Sequence, residues 1–252
     1  MDDHQLVQLA KSIKLFGLAE TLDARLGQAR DSHLAYEEFL GCLLQDEQED
    51  RQRKCLARNI KQAQFEEAKS FDNFSMDQYS NDTCQMIRHV MTGKFLKEKN
   101  HIVIMGPVGT GKTHLAQAIG LMACQKYKKV KFTRANDLLQ QFYRSRADET
   151  WDKLHRYYAK FDVLILDDFG LKSLSAEQSE DLYDLIANMH IHSSMIFTSN
   201  RKIESWIELF HDPVMANAAM DRIINRAIRI VLDGESYRKK FTPKISKGDN
   251  DK

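Results

Sequence analysis

Gly106-Pro-Val-Gly-Thr-Gly111-Lys112-Thr113 follows an apolar run, His101-Ile-Val-Ile-Met105, and leads into a helical stretch that reaches about Lys126. The eight residues fit G-x-x-x-x-G-K-[ST]. The glycines let the backbone curl so that its N–H groups face phosphate oxygens. The helix that follows offers its positive end to the same anion. In that geometry Lys112 reaches the β and γ phosphates of a nucleoside triphosphate, and Thr113 ligates Mg²⁺. The strand before the loop and the helix after it separate this match from a chance one. Gly106, Pro107, Val108, Gly109, Thr110, Gly111, Lys112, Thr113 and His114 are the expected nucleotide-binding residues.

Downstream of the loop, short apolar strands alternate with helices. Val130–Thr133 and Val163–Leu166 read as strands, with helical segments between them to about Lys160. Ser175–Gln178 is a capping box that opens a helix to about His190. Met195–Thr198 is a further strand. Asp212 and Pro213 read as an N-cap and a proline in the first turn of a helix to about Ala227. Ile228, Ile230 and Leu232 alternate as a last strand. This alternation predicts an α/β fold with a parallel sheet covered on both faces.

Two strand ends carry further chemistry. Val163-Leu-Ile-Leu-Asp167-Asp168 is a buried strand ending in two acids. Asp167 is placed to hold Mg²⁺, directly or through water, and Asp168 to polarise an attacking water. Read alone, the pair could equally cap the loop; beside the phosphate loop the catalytic reading wins. Thr198-Ser199-Asn200 ends the next strand, where polar groups face the ligand crevice of such sheets. Asn200 orients the water or touches the γ-phosphate, or else simply forms a turn. Arg222 and Arg226 lie four apart on one helix face. One of them is a candidate arginine finger for a neighbouring copy's site, the alternative being a salt-bridged surface arginine.

The first seventy residues contain no proline and read as helical. Leu6, Leu9, Ile13 and Phe16 recur at helical spacing, then Gly17, then Leu22 and Leu26. Tyr36, Phe39, Leu40, Leu43 and Leu44 mark a second amphipathic stretch. A third, from about Asp46 to Lys69, is dense in mixed charge and reads as a solvated helix face. So small a module needs a partner, either the next domain or a copy of itself. The expected organisation is a helical N-terminal module (1–70), an ATPase domain (71–240) and a polar, disordered tail (241–252).

Composition narrows the setting. The cysteines, Cys42, Cys55, Cys84 and Cys124, form no C-x-x-C pair, and the histidines lack ligand spacing, so reduced thiols are expected rather than a metal centre. No run approaches the roughly twenty apolar residues of a membrane span, and the N-terminus lacks the apolar stretch of a secretion signal. The expectation is a cytoplasmic protein with no membrane partner. Net charge is only +1, so nucleic-acid binding would have to come from local clusters. Lys126, Lys128, Lys129, Lys131 and Arg134, followed by Arg144, Arg146, Lys153 and Arg156, form one such cluster. Arg51, Arg53, Lys54 and Arg58, interleaved with acids, form a weaker one.

The motifs in this order resemble AAA+ ATPases, and within them the IstB family, helper ATPases of bacterial insertion sequences. The likeness extends over nearly the whole chain. It rests on LFGLAETLDARL with EEFL near the N-terminus, then GPVGTGKTHLAQAIG, LILDDFG, TSNR, DPVMANAAMDR and the terminal DGESYR. The resemblance implies a five-stranded sheet of order 5-1-4-3-2 with no separate C-terminal helical lid. It implies ATP with Mg²⁺ as cofactors, nucleotide bound between subunits of an ATP-dependent oligomer, and Arg222 as first choice for the finger. It also implies non-specific backbone binding and deformation of double-stranded DNA, and delivery of that DNA to the partner transposase, IstA. A helicase loader of the DnaC kind is the competing reading. Asp168 departs from many AAA+ proteins, which carry Glu there. The shorter side chain withdraws its carboxylate by about 1–1.5 Å, enough to slow hydrolysis on the order of a hundredfold, so a slow ATPase stimulated by assembly or a partner is expected.

Overall fold

The computed structural model describes residues 2–67, 69–234, 236 and 237. Contacts divide the chain into two compact units, one ending at Asn59 and the other beginning at Ile60.

The first unit contains α1 (Asp3–Ser12), α2 (Phe16–Ser32) and most of α3 (Tyr36–Ala63). The second amphipathic stretch and most of the third are therefore one continuous helix, which ends at Ala63, short of the expected Lys69. Its charged face is also not simply solvated, because Glu47 and Asp50 are buried. Glu47 Oε2 accepts the N–H groups of Gly17 (2.8 Å) and Leu18 (3.2 Å). These belong to the open first turn of α2, whose N-cap residue Leu15 offers no side-chain acceptor. Asp46 takes a two-pronged hydrogen bond from Arg25 (2.8 and 2.7 Å), which holds its carboxyl down at about 2.

The break between α1 and α2 falls at Ile13–Leu15, with Lys14 left-handed (φ 64°). Gly17 lies inside α2 and lets it approach α3. A Cβ there would meet Asp50 Cβ at 2.5 Å and Asp46 O at 2.7 Å. Gly17→Ala is expected to destabilise this unit by about 1–3 kcal/mol, seen as faster amide exchange in α2 and α3 and unchanged exchange in the sheet. Of the apolar positions read from periodicity, Leu22 and Leu43 are buried, whereas Leu9, Ile13, Phe16, Leu40 and Leu44 remain about half exposed.

The second unit runs through a 3₁₀ turn (Phe71–Asn73), α4 (Asn81–Met91), α5 (Lys94–Glu98), β1 (His101–Met105), α6 (Lys112–Gln125), β2 (Val130–Arg134), α7 (Ala135–Ala147), α8 (Trp151–Tyr158) and β3 (Val163–Asp167). It continues with α9 (Ala176–Met189), β4 (Ser194–Ser199), a second 3₁₀ turn (Ile203–Leu209), α10 (Pro213–Ile224) and β5 (Ala227–Val231). All five strands pair in parallel, in the order β2-β3-β4-β1-β5. Read from the other edge this is the expected 5-1-4-3-2. Both expected caps are present: the Ser175–Gln178 capping box before α9, and Asp212 with Pro213 opening α10. α10 ends at Ile224, short of the expected Ala227, because Ala227 is drawn into β5 opposite His101.

The core strands β1, β3 and β4 are buried almost throughout, as expected for a parallel sheet covered on both faces. α6 packs on β1, β2, β3 and β4, with Leu115, Ala116, Ile119 and Ala123 fully buried. On Phe169, Phe197 and Trp206 a second core forms, with ring centroids 4.5–5.6 Å apart, joined by residues of α7, α9 and α10. The four cysteines are free thiols. Among the described residues no helix is long and apolar enough to cross a membrane. The tail expected to be disordered, 241–252, lies outside the described residues, as do Glu235 and residues 238–240.

Candidate nucleotide site

β1 ends at Met105 and the chain turns at once into Gly106, whose N–H donates to Ser199 O at the end of neighbouring β4 (3.3 Å). A Cβ at Gly106 would sit 2.3 Å from Leu232 O, so this crossing requires glycine. Gly111 (φ 91°) is the N-cap of α6 and takes the left-handed conformation that side chains resist. Between them the loop is braced from within. Thr110 Oγ1 donates to Pro107 O (2.9 Å), and so does Lys112 Nζ (2.7 Å). From outside, Tyr79 OH donates to Thr110 O (2.6 Å). Lys112 is thus held curled over the loop whose amides it shares, the placement a phosphate-gripping ammonium needs.

The second half of the site is the zipped end of β3 and β4. Thr113 Oγ1 lies 3.0 Å from both Asp167 oxygens. Thr198 Oγ1 donates to Asp167 Oδ1 at 2.5 Å and accepts the N–H of Asp168 at 2.9 Å. The next residue, Phe169, donates its N–H to Thr198 O (2.8 Å), and its own carbonyl accepts Ser199 Oγ (2.7 Å). Its ring is locked between Phe197 and Trp206. This bracing sustains the left-handed backbone of Asp168 (φ 54°), a conformation uncommon outside glycine. Burial pushes the Asp167 carboxyl above its ordinary range, against the pull of the Thr198 hydrogen bond.

A cleft of about 720 Å³ joins the two halves, within the size range of small-ligand sites. Lys112, Thr113, His114, Asp167, Asp168 and Asn200 all line it. The acids, Thr113 and Asn200 gather where the strands end. Phe74, Ser75 and Tyr237 also face the cleft, and Tyr237 bridges the loop at Gly109 O (2.9 Å) to Ser75 O (2.9 Å). The hydroxyl of Thr113 and carboxylate of Asp167 are hard oxygen donors that suit Mg²⁺, which takes few protein ligands and completes its shell with water and phosphate. No cluster of three acidic, histidine or cysteine side chains able to cage a metal occurs among the described residues.

Other predicted positions fall differently. His114 lines the cleft, but its Nε2 is shared between Ser70 O (3.2 Å) and Asn73 Oδ1 (2.8 Å). Arg222 does not line the same chain's cleft. Its guanidinium lies over the Tyr183 ring (4.9 Å) and donates to Ala218 O (2.9 Å).

The basic cluster breaks up. Lys131 is buried and bonded to Gln64. Arg134 lines the nucleotide cleft and pairs with Glu66 at 2.8 Å. Arg146 pairs with buried Asp181 at 2.7 Å. The sequence groups these three with the candidate nucleic-acid cluster because it shows neither that Lys131 turns inward nor that Arg134 and Arg146, though exposed, are paired with acids. Lys126, Lys129, Arg144, Lys153 and Arg156 remain exposed. In the other cluster Arg51, Arg53 and Lys54 are neutralised by buried Glu47 and Asp50. Glu66 and Thr198 were missed as site residues. Thr198 had a visible signal, since it opens the polar triplet at the end of β4; Glu66 had none.

Comparison with known proteins places this geometry. The family model described as IstB-like ATP binding protein matches residues 8–244. The chain belongs to this family. Among its relatives is a protein named for ATP binding in an insertion sequence of Mycobacterium tuberculosis, 36% identical over 242 residues, or 96% of each chain. Another, from the insertion sequence IS5376 of Geobacillus stearothermophilus, is 34% identical over 88% of each chain. Among solved structures, the DnaC helicase loader has a TM-score of 0.55 at 21% identity, over 67% of this chain and 98% of that one. DnaA from Aquifex aeolicus bound to AMPPCP has 0.55 at 23%, over 66% of this chain and 50% of that one. At these identities the likeness is one of fold.

Proposed function

We propose that this IstB-family protein is an ATP-hydrolysing switch that assembles on duplex target DNA, deforms it, and recruits and stimulates its partner transposase, IstA. The observation that carries the ATPase part is the Thr113–Asp167–Thr198 cluster beside the phosphate loop, with Asp168 fixed next to it. Loop amides and Lys112 hold the β and γ phosphates. Thr113 and Asp167 hold Mg²⁺, which when bound neutralises phosphate charge. Asp168 polarises the attacking water and Asn200 orients it. Arg222, outside its own chain's cleft, completes the site of a neighbouring copy, with Arg226 the alternative.

Turnover is slow because Asp168 is short. Asp168→Glu is therefore expected to raise the single-turnover hydrolysis rate on the order of tenfold or more, and a fall in rate would count against the reach argument. The transposition role is supported by the family and by relatives encoded in insertion sequences. The helicase-loader alternative draws on fold likeness alone.

DNA contacts are assigned to the exposed cations Lys126, Lys129, Arg144, Lys153 and Arg156. They grip phosphates without reading bases, so log affinity for duplex should fall linearly with log salt, by roughly 0.9 per phosphate contacted, and vary little with sequence. A slope near zero would remove the phosphate-contact reading. Electron microscopy with ATP and duplex tests the assembly. Rings or filaments enclosing the duplex are expected, whereas a stable monomer under all conditions would exclude this mode of action.

A further inference from the structure

The segment after α3, residues 64–67 and 69–73, belongs to the second unit and is bonded at several points to the elements around the nucleotide site. Gln64 is bonded to Lys131 on β2. The Phe65 ring packs on Phe132 (6.5 Å) and so closely over α6 that a Cβ on Gly120 would meet it at 2.8 Å. The N–H of Glu67 donates to Gln117 Oε1 on α6 (3.3 Å). His114, one residue beyond the phosphate loop's threonine, binds Ser70 and Asn73.

In the middle of this seam, Arg134 Nε donates to Glu66 Oε1 at 2.8 Å. Arg134 is the last residue of β2, in register with Asp167, and lines the cleft with Lys112, Thr113 and Asp168. Glu66 lines the same cleft. Both side chains are about half solvated, 53% and 40% exposed, so the pair is a weak one. A γ-phosphate arriving beside Thr113 and Asp167 brings about two negative charges. It offers Arg134 a stronger, multidentate acceptor than one carboxylate. It also repels Glu66, which already shares the cleft with Asp167 and Asp168.

We propose that Arg134 and Glu66 form a latch read by the γ-phosphate: a bound triphosphate takes Arg134 from Glu66 and loosens residues 64–67 and 69–73, whereas a diphosphate leaves the latch shut. Arg134 is then a nucleotide contact, and Glu66 a positioning residue that sets triphosphate–diphosphate discrimination and reports nucleotide state along the chain toward α3. This inference rests on the nucleotide-site reading above.

The test is amide exchange on the full chain with Mg²⁺ and either ADP or a non-hydrolysable ATP analogue, with affinity for each nucleotide measured in the same samples. In the wild type, exchange across 64–67 and 69–73 is expected to be faster with the analogue than with ADP. Glu66→Gln should make it fast in both states and tighten analogue binding about 2- to 5-fold with ADP affinity unchanged. Arg134→Ala should also leave exchange fast in both states, but weaken the analogue selectively. Equal or slower exchange with the analogue in a wild type that binds both nucleotides, or an unchanged affinity ratio in Glu66→Gln, would overturn the latch while leaving the nucleotide site standing. Absence of nucleotide binding altogether would overturn both.

Discussion

Asp167→Asn is expected to lower ATP hydrolysis by about 100- to 1,000-fold while making the nucleotide-free protein more stable. The two effects have one cause. Asp167 is buried against Thr113 and Thr198, with Asp168 beside it, and burial raises its carboxyl above the ordinary range. A group whose folded pKa lies above its unfolded value favours folding at pH below the unfolded pKa. That contribution is lost as pH rises through the folded value, so at neutral pH the ionised carboxylate opposes folding. Removing the charge relieves that opposition and leaves an acceptor for both threonine hydroxyls. The same change removes the carboxylate proposed to ligate Mg²⁺, an ion whose stabilisation of phosphate charge is worth several kcal/mol, and each 1.36 kcal/mol is tenfold in rate. Thermal melts without nucleotide, compared at neutral and acidic pH, and phosphate-release assays with Mg²⁺ check both halves. The stability gain should be confined to pH above the ordinary carboxylate range. A variant that lost stability at neutral pH, or kept wild-type hydrolysis, would contradict this view of the site.

Lys112→Ala is expected to weaken ATP binding by about 10- to 100-fold. A hydrogen bond to a charged group contributes about 1.5–3 kcal/mol, and 1.4 kcal/mol is tenfold in affinity. Lys112 is largely buried, so its ammonium is already desolvated and its position is set by Pro107 O. The loop's fold rests more on its glycines and on Tyr79. Fluorescent-nucleotide titration should therefore show the loss with far-ultraviolet circular dichroism unchanged.

How far these features were legible in the sequence follows from what sets them. The phosphate loop, the acids ending β3 and the sheet's strands were readable because each combines a local pattern with a required residue type. Glycines mark the turns, unbroken apolar runs mark buried strands, and polar residues follow directly. The sheet order came from family resemblance, since periodicity does not rank strands within a sheet. In the helical unit, apolar spacing identified helices but not their ends. Lys14, with nothing unusual in its chemistry, takes the left-handed break, while Gly17, the obvious breaker, serves close packing instead. Glu47 and Asp50 looked like solvated charge because their partners lie on a different helix or on the exposed side of their own. Arg134 and Glu66 were illegible as a pair because 68 positions separate them, and only the packing of the segment after α3 on β2 and α6 brings them into one cleft.

The most direct measurement is calorimetric titration of ATP into the full chain with and without Mg²⁺. One triphosphate should bind per chain, more tightly with the metal than without it. No heat of binding and no competition by nucleotide at any accessible concentration would mean that the curled loop between β1 and α6 does not hold phosphate, and the account would fail.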